Sequence, residues 1–459
     1  MAILGTRIRS LLTFGLAILY LSNLLIKSDF ITDIIIFLMV IVIGLSFPSV
    51  TGSSKIIGYA SFAVSIVILL GYHAPLNIWI QALQENLYLV VMFALVPLLK
   101  IPIQHGGYFD ALQMVFRRYV NSNNRFYLMT SIISAFVGVL VNMAVVPLVN
   151  EISKASDIYS NKKLLSSAIS RGFTSCIIWS PTMAATVLIM QFTGADWLLF
   201  FPYGIFCGVI VGLAGYIMTL YEYRGSTLVR PGVESHINED KINFSKVMEL
   251  SIFGIILITS IAVVSFVLGV QTINIVSFAS LIFPIIWMAV IRRLPTLYKE
   301  FKDDYFNHSL LNLNNEIILF VGAGLFATSI TYSHLGNYVP QILTLLVGHN
   351  VLLLTVAIIL STLLLSAVGV HPIITIVIIG ETVKAAAYGV SPIYMALVLA
   401  SSWAMGISIS PAAANIIAVA GLAGQSPIQV GLRWNGAYVL ISSILLILIF
   451  TIFRLVGLL

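Results

Sequence analysis

Long apolar runs alternate with short polar clusters along this chain. In eleven places the run is long enough to cross a bilayer as a helix, which takes about 20 residues at about 1.5 Å each. The runs are 10–26, 30–47, 56–72, 86–103, 164–192, 197–221, 247–269, 273–291, 316–333, 394–422 and 434–457. The first follows Arg7 and Arg9 but precedes Lys27 and Ser28 with no small-x-small cleavage site, so it is expected to be retained as a span. Ahead of the fifth lies an amphipathic stretch, Phe109 to Val120 with Arg117 and Arg118, whose pattern suits a helix lying in the interface.

Two further apolar runs, 126–150 and 350–379, need a different geometry. If 126–150 crossed once, Lys154, Lys162 and Lys163 would lie opposite Arg117, Arg118 and Arg125; a re-entrant hairpin keeps all six on one side. Charge says little about 350–379, but a repeat in the sequence does. Glu151, Lys154, Ala155, Ile177, Ser180, Pro181, Ala184 and Gly194 recur 230 residues later as Glu381, Lys384, Ala385, Ile407, Ser410, Pro411, Ala414 and Gly424. Glu151 and Glu381 thus close equivalent segments, and a second hairpin is expected.

In both copies the Ser-Pro pair sits halfway along an apolar run, 164–192 and 394–422. Proline lacks the N–H that a helix needs and clashes with the preceding turn, so each run is expected to be a broken helix with bare backbone groups at mid-membrane. The predicted fold is therefore an all-α polytopic membrane protein with about eleven transmembrane helices and two re-entrant hairpins in an inverted repeat, its fifth and tenth helices discontinuous. The chain reads as one membrane transport domain over 1–459, with a first repeat at 30–221, an inverted second repeat at 245–459 and a cytoplasmic linker at 222–244. Interrupted helices in matching halves point to the binding site of a secondary transporter.

Composition narrows the function classes. At 59% hydrophobic and 9% charged residues, with a mean hydropathy of +1.05, no segment is left to build a soluble domain. The basic excess, 23 Lys and Arg against 17 Asp and Glu, invites a nucleic-acid reading, but the basic residues are scattered between apolar runs. With both hairpins in place, 19 of the 23 fall on one side, which assigns them to positive-inside topology, with the N-terminus inside and the C-terminus outside. Cys176 and Cys207 both lie in apolar runs and suggest neither a disulfide framework nor a metal site.

The candidate site collects the polar residues at the breaks and hairpin tips. An unwound helix exposes carbonyls for a cation and N–H groups for an anion. Ser180, Thr182, Ser408, Ser410 and Asn415 add hydroxyl and amide ligands without charge, suiting Na⁺ and small oxyanions better than soft metals. Equally, any such hydroxyl can simply bond the carbonyl one turn back. Asn142, between Val141 and Met143 at the expected first tip, is a candidate for both substrate and coupling ion. His371 could bind substrate, carry the coupled proton near neutral pH, or cap the second arm ahead of Pro372. Arg171 is the one cation left within a span, and snorkelling to the cytoplasmic interface is its expected role. Glu151 with Lys154 and Glu381 with Lys384 are expected ion pairs, and Glu85 and Glu316 are expected at the starts of the fourth and ninth spans.

The first hairpin, Ser134-Ala135-Phe136-Val137-Gly138-Val139-Leu140-Val141-Asn142-Met143-Ala144-Val145-Val146-Pro147, resembles the Ser-Ala-Phe…Asn…Pro pattern of the ion transporter superfamily, which includes divalent-anion/sodium symporters, arsenical pump membrane proteins and citrate–metal symporters. The breaks Ser180-Pro181-Thr182-Met183-Ala184-Ala185 and Gly406-Ile407-Ser408-Ile409-Ser410-Pro411-Ala412-Ala413-Ala414-Asn415 look like that group's unwound fifth and tenth helices. Two departures stand out. Val141-Asn142-Met143 keeps only the Asn of the dicarboxylate symporters' Ser-Asn-Thr, and Gly369-Val370-His371-Pro372 replaces the second tip motif.

The resemblance implies a small organic or inorganic anion as substrate, a coupling cation, Na⁺ or H⁺, and no other cofactor. It also makes a homodimer in the bacterial cytoplasmic membrane the analogous assembly. Two readings from other classes are an intramembrane enzyme on a lipid-linked substrate and a passive anion channel. The sequence carries neither His-Glu-x-x-His nor Gly-x-Ser-x-Gly for the first. Matched breaks and hairpins suit alternating access better than the second.

Overall fold

A computed structural model describes residues 2–224 and 244–459. The expected linker, 222–244, lies outside the described residues except at its ends. The described chain is built of helices: α1 (Ala2–Ile26), α2 (Asp29–Ser46), α3 (Gly52–Gly71), α4 (Leu76–Gln84), α5 (Leu87–Leu95), α6 (Lys100–His105), α7 (Tyr108–Tyr119), α8 (Asn123–Val141), α9 (Val145–Ser153), α10 (Lys162–Ile177), α11 (Ala184–Thr193) and α12 (Trp197–Glu222). After the gap follow α13 (Phe244–Leu268), α14 (Thr272–Val290), α15 (Leu294–Glu300), α16 (Asn314–Tyr332), α17 (Tyr338–Val347), α18 (Val351–Ala367), α19 (Pro372–Thr382), α20 (Pro392–Ile409), α21 (Ala414–Ala423) and α22 (Asn435–Leu455). Among the described residues, eleven helices are long and apolar enough to cross a membrane.

One of those eleven, Asn123–Ser153, is two helices, α8 and α9, folded back on each other. Asn142 takes φ 52° at its middle and turns the chain back. The amide of Gln113 on α7, just ahead of α8, donates to the carbonyl of Glu151 at the end of α9 (3.3 Å), so both ends of the pair lie at one level. Helices α10 and α11, individually too short to cross, follow the pair and together match the expected broken fifth span. The second pair, α18 and α19, turns at Gly369, whose φ of 99° only glycine adopts without strain. Its second arm returns to α17: Tyr388 just beyond donates to the Pro340 carbonyl (3.4 Å) and faces Thr344 Oγ1 (3.3 Å).

Three features depart from the sequence pattern. The fourth span begins ten residues early, at Leu76, and is interrupted around Glu85 and Asn86, so Glu85 lies inside that span and not at its start. Asn86 is buried there, donating to the Phe320 carbonyl of α16 (2.9 Å) and accepting from Tyr88 (3.3 Å). Second, the run ahead of the second hairpin contains a helix of its own: Leu335–Val347 meets Val351–Ala367 at 119°, much as α7 precedes the first hairpin. Third, of the two expected ion pairs, Lys154 bonds Glu151 at 2.5 Å, whereas Glu381 takes a hydrogen bond from Thr331.

Close packing of the hairpins on the broken spans depends on glycine. A Cβ on Gly172 of α10 would lie 2.3 Å from the Ser131 carbonyl oxygen of α8, so only glycine lets these backbones meet. Two core clusters result: one around both hairpins and both breaks, the other joining α1, α2 and the α4–α6 span to α16.

Topology is checked by single cysteines in a background without Cys176 and Cys207. One at exposed Ser160 should react with membrane-impermeant maleimide only from the cytoplasm. For the opposite face the sequence suggests Gly336, but Gly336 is buried and a Cβ there would lie 2.7 Å from Thr382 Cγ2. Asn337, exposed beside it, should carry the second cysteine and react only from outside. Labelling of position 160 from outside would turn the first hairpin into a crossing.

Candidate functional site

Both breaks have the same construction. In Ser180-Pro181-Thr182-Met183 the Met183 N–H donates to the Ser180 carbonyl at 3.2 Å, and in Ser410-Pro411-Ala412-Ala413 the Ala413 N–H donates to the Ser410 carbonyl at 3.2 Å. Each serine hydroxyl also accepts the N–H two residues on, at 3.4 Å. These are β-turns with serine and proline at their first two positions, the placement that suits each residue best. Each turn restarts a ten-residue helix, α11 or α21, and each restarted helix ends at a glycine with φ near +65°, Gly194 (68°) and Gly424 (65°). Neither helix start has a side-chain cap, so free N–H groups face away from the turn.

What they face is a cavity of about 400 Å³. Asn142 and His371 of the hairpin tips, Ala184 and Ala185 at the start of α11, and Ala414 and Asn415 at the start of α21 line it. Phe93, Phe173, Phe320 and Trp403 form apolar wall, and Thr51–Ser54 with Asn315 and Glu316, the starts of α3 and α16, line the mouth at one end, where Thr51 and Gly52 are exposed. That end lies on the face carrying the N-terminus, since Arg9 donates to the Leu311 carbonyl just ahead of α16 (2.6 Å). Four helix starts therefore converge on one space whose lining contains neither lysine nor arginine.

Of the residues singled out from sequence, three meet in this cavity. Asn415 is only 2% exposed, and neither its amide oxygen nor its nitrogen has a partner. Asn142 presents its side chain at the turn of the first tip. His371 caps α19, its Nδ1 accepting the Ile373 N–H at 3.2 Å, and its ring stands edge-on to Trp403 with centroids 6.2 Å apart. That is the capping role the Pro372 context suggests.

The four hydroxyls do not line the cavity. Ser180 bonds Thr182 (2.9 Å), which in turn donates to the Val139 carbonyl of the first hairpin (2.5 Å). Ser408 meets Thr174 of α10 (2.5 Å) and donates to Ala404 (3.0 Å). Ser410 holds its own turn. Internal bonding, the bland alternative, describes all four: they tie the breaks to the hairpin and to each other and position the site from behind. Ser53 of α3, not foreseen from sequence, donates to the Ala412 carbonyl (2.8 Å) and anchors the second break to the cavity mouth.

Arg171 does not snorkel. It is 3% exposed, its Nε donates to Asn435 Oδ1 (3.1 Å) and its Nη2 to the Trp434 carbonyl (2.9 Å), while its guanidinium carbon lies 4.9 Å from the Tyr438 ring centroid. Trp434 ends a π-helical turn, Gln429–Trp434, where the wider winding leaves carbonyls for outside donors. An aliphatic stem beside a lipid face would favour the interface, but acceptors held by the tertiary fold outweigh it.

No protein family and no curated protein matches the chain. Among solved structures it is similar to the crystal structure of the YdaH transporter of Alcanivorax borkumensis, described as having an unusual topology. Identity is 15%, with 80% of this chain and 84% of that chain covered and a TM-score of 0.50. The likeness is one of fold, that of a polytopic all-helical membrane protein.

Proposed function

We propose that this chain is a secondary active transporter that moves a small anion across the bacterial cytoplasmic membrane by alternating access, coupled to H⁺ or Na⁺. The observation that carries the reading is the convergence of the α11 and α21 starts and the unpartnered Asn415 on one cavity at both breaks. Helix starts offer N–H groups and the positive end of the dipole, each favouring an anion by about 0.3–1 kcal/mol or more when water is excluded. An apolar wall with no fixed cation suits a monovalent organic anion with an apolar body better than a compact dianion, which needs basic partners. With the N-terminus inside, the cavity opens to the cytoplasm. The halves act as inverted copies whose hairpins gate opposite faces, and a homodimer is the assembly the resemblance suggests.

The test is flux into proteoliposomes using hexanoate, benzoate, succinate and sulfate under imposed pH and Na⁺ gradients. A transporter saturates and accumulates one of these against its gradient, whereas a channel only equilibrates it. Asn142→Ala and Asn415→Ala should each weaken apparent affinity for the transported anion by about tenfold or more, the cost of one lost hydrogen bond to a charged ligand. Unchanged affinity in both variants would remove the cavity from the transport path.

A further inference from the structure

We propose that Glu316 is a proton-binding site of this protein, and that the cavity takes its anion together with one proton on the Glu316 carboxyl. The proposal rests on the anion-transport reading and assigns its coupling step.

Glu316 lies in the first turn of α16 and is the single Asp, Glu, Lys or Arg among the residues lining the cavity. A carboxylate at a helix start ordinarily caps that start or joins an ion pair. Here the residue ahead of the helix is Leu313, which has no hydroxyl to complete a capping box. None of the ion pairs among the described residues includes Glu316. Its Oε2 is buried and takes no hydrogen bond from the protein. The adjacent side chains are differently used: Asn315 accepts the Thr51 N–H at 3.0 Å, tying α16 to α3, and Asn314 donates to the Leu311 carbonyl at 3.2 Å. The carboxyl accepts its own backbone N–H, and its second oxygen, Oε2, is left without a partner in the wall of the cavity.

The charged or titratable groups on the elements packed against α16 are few. Lys55 of α3 is exposed, its Nζ placed over the Tyr59 ring (5.8 Å), and it does not line the cavity. Glu85 in the fourth span and Glu381 at the end of α19 sit toward the opposite face, where Glu85 accepts from Gln191 (3.1 Å). Asp29 and Asp33 of α2 and His334 after α16 are also at that far end. Only His371 shares the cavity, and its Nδ1 is committed as an acceptor to the Ile373 N–H, so protonation there would break the cap of α19.

An ionised Glu316 and an anion would be like charges in one largely apolar space, each disfavouring the other. A proton added to a Glu316 oxygen removes that repulsion and supplies an O–H donor. The proton comes from water on entry and returns to water on exit, and no bond in the anion changes. By linkage the anion raises proton affinity as much as the proton raises anion affinity. Where Glu316 is mostly ionised, anion affinity should fall by about tenfold per pH unit.

The first measurement needs no anion. Dicyclohexylcarbodiimide, an apolar reagent that modifies protonated carboxyls, is applied to the intact protein in liposomes across pH, and adducts are mapped by mass spectrometry. Glu316 should be modified, faster as pH falls, in K⁺ and Na⁺ buffers alike. Absence of an adduct at Glu316, or a rate indifferent to pH, overturns the proposal. Slower labelling in Na⁺ than in K⁺ at one pH also overturns it, by making the carboxylate a sodium site. The second measurement is uptake of the transported anion against pH. Glu316→Gln should abolish the slope and His371→Gln should retain it; the reverse would place the proton on His371. If Glu316→Gln does not insert, the wild-type labelling profile still decides. Titrating labelling with no saturable anion flux would sink the transport reading and leave the proton site standing.

Discussion

Replacing both break prolines, Pro181→Ala with Pro411→Ala, should leave the protein inserted and folded yet reduce transport at least about tenfold. Alanine removes a penalty of about 3 kcal/mol against helix at each position, so α10 can run toward α11 and α20 toward α21. Continuity would consume the free N–H groups at Ala184 and Ala414 that face the cavity and would unmake the turns closed at Ser180 and Ser410. Initial uptake rates, with expression and monodispersity as controls, decide the matter. Normal transport by the double variant would reduce the breaks to kinks. The single variants are informative as well, because the first turn is tied to Val139 of the hairpin through Thr182 and the second to α3 through Ser53.

The largest stability effect is expected at Arg171. Arg171→Met fills a similar volume but leaves Asn435 Oδ1 and the Trp434 carbonyl without their donor, at about 1–3 kcal/mol each. Part of this is offset because a buried charge no longer has to be desolvated. A net loss of about 2–4 kcal/mol should lower the detergent melting temperature by several degrees. Arg171→Lys keeps the charge but cannot reach two acceptors through a planar fork, so it should behave closer to Met than to wild type. If both variants melt with the wild type, the clamp between α10 and α22 contributes nothing measurable to stability.

Placing Arg171 correctly required the tertiary structure. In one dimension it is a cation seven residues inside an apolar run, and an aliphatic stem of that length reaches the interface. Its true partners lie more than 260 residues away, and one of them is a backbone carbonyl freed by a π turn that no local pattern announces. Asn86 is similar: the polar cluster Gln84-Glu85-Asn86 reads as the start of the fourth span, and only the bond to the Phe320 carbonyl of α16 places it within the span. Helix α17 escaped because its ten residues are too few for a crossing and Gly348-His349-Asn350 sets them apart from α18, which it meets at 119°.

What the sequence alone determined was the set of elements and their symmetry of construction. Crossing length, basic clusters and proline are local quantities that act wherever they occur, so the apolar spans, the first hairpin and both Ser-Pro turns were legible locally, and the second hairpin through its repeat of the first. The tertiary structure decided which polar groups face the cavity and which only hold it. Ser180, Thr182, Ser408 and Ser410 stand at the right depth but spend their hydroxyls on neighbouring backbone and on each other. Asn415 and Glu316 keep polar atoms free, because nothing that packs against them offers a partner. Satisfaction of a hydrogen bond is a property of pairs, and in this chain the deciding pairs join segments that are far apart in the sequence.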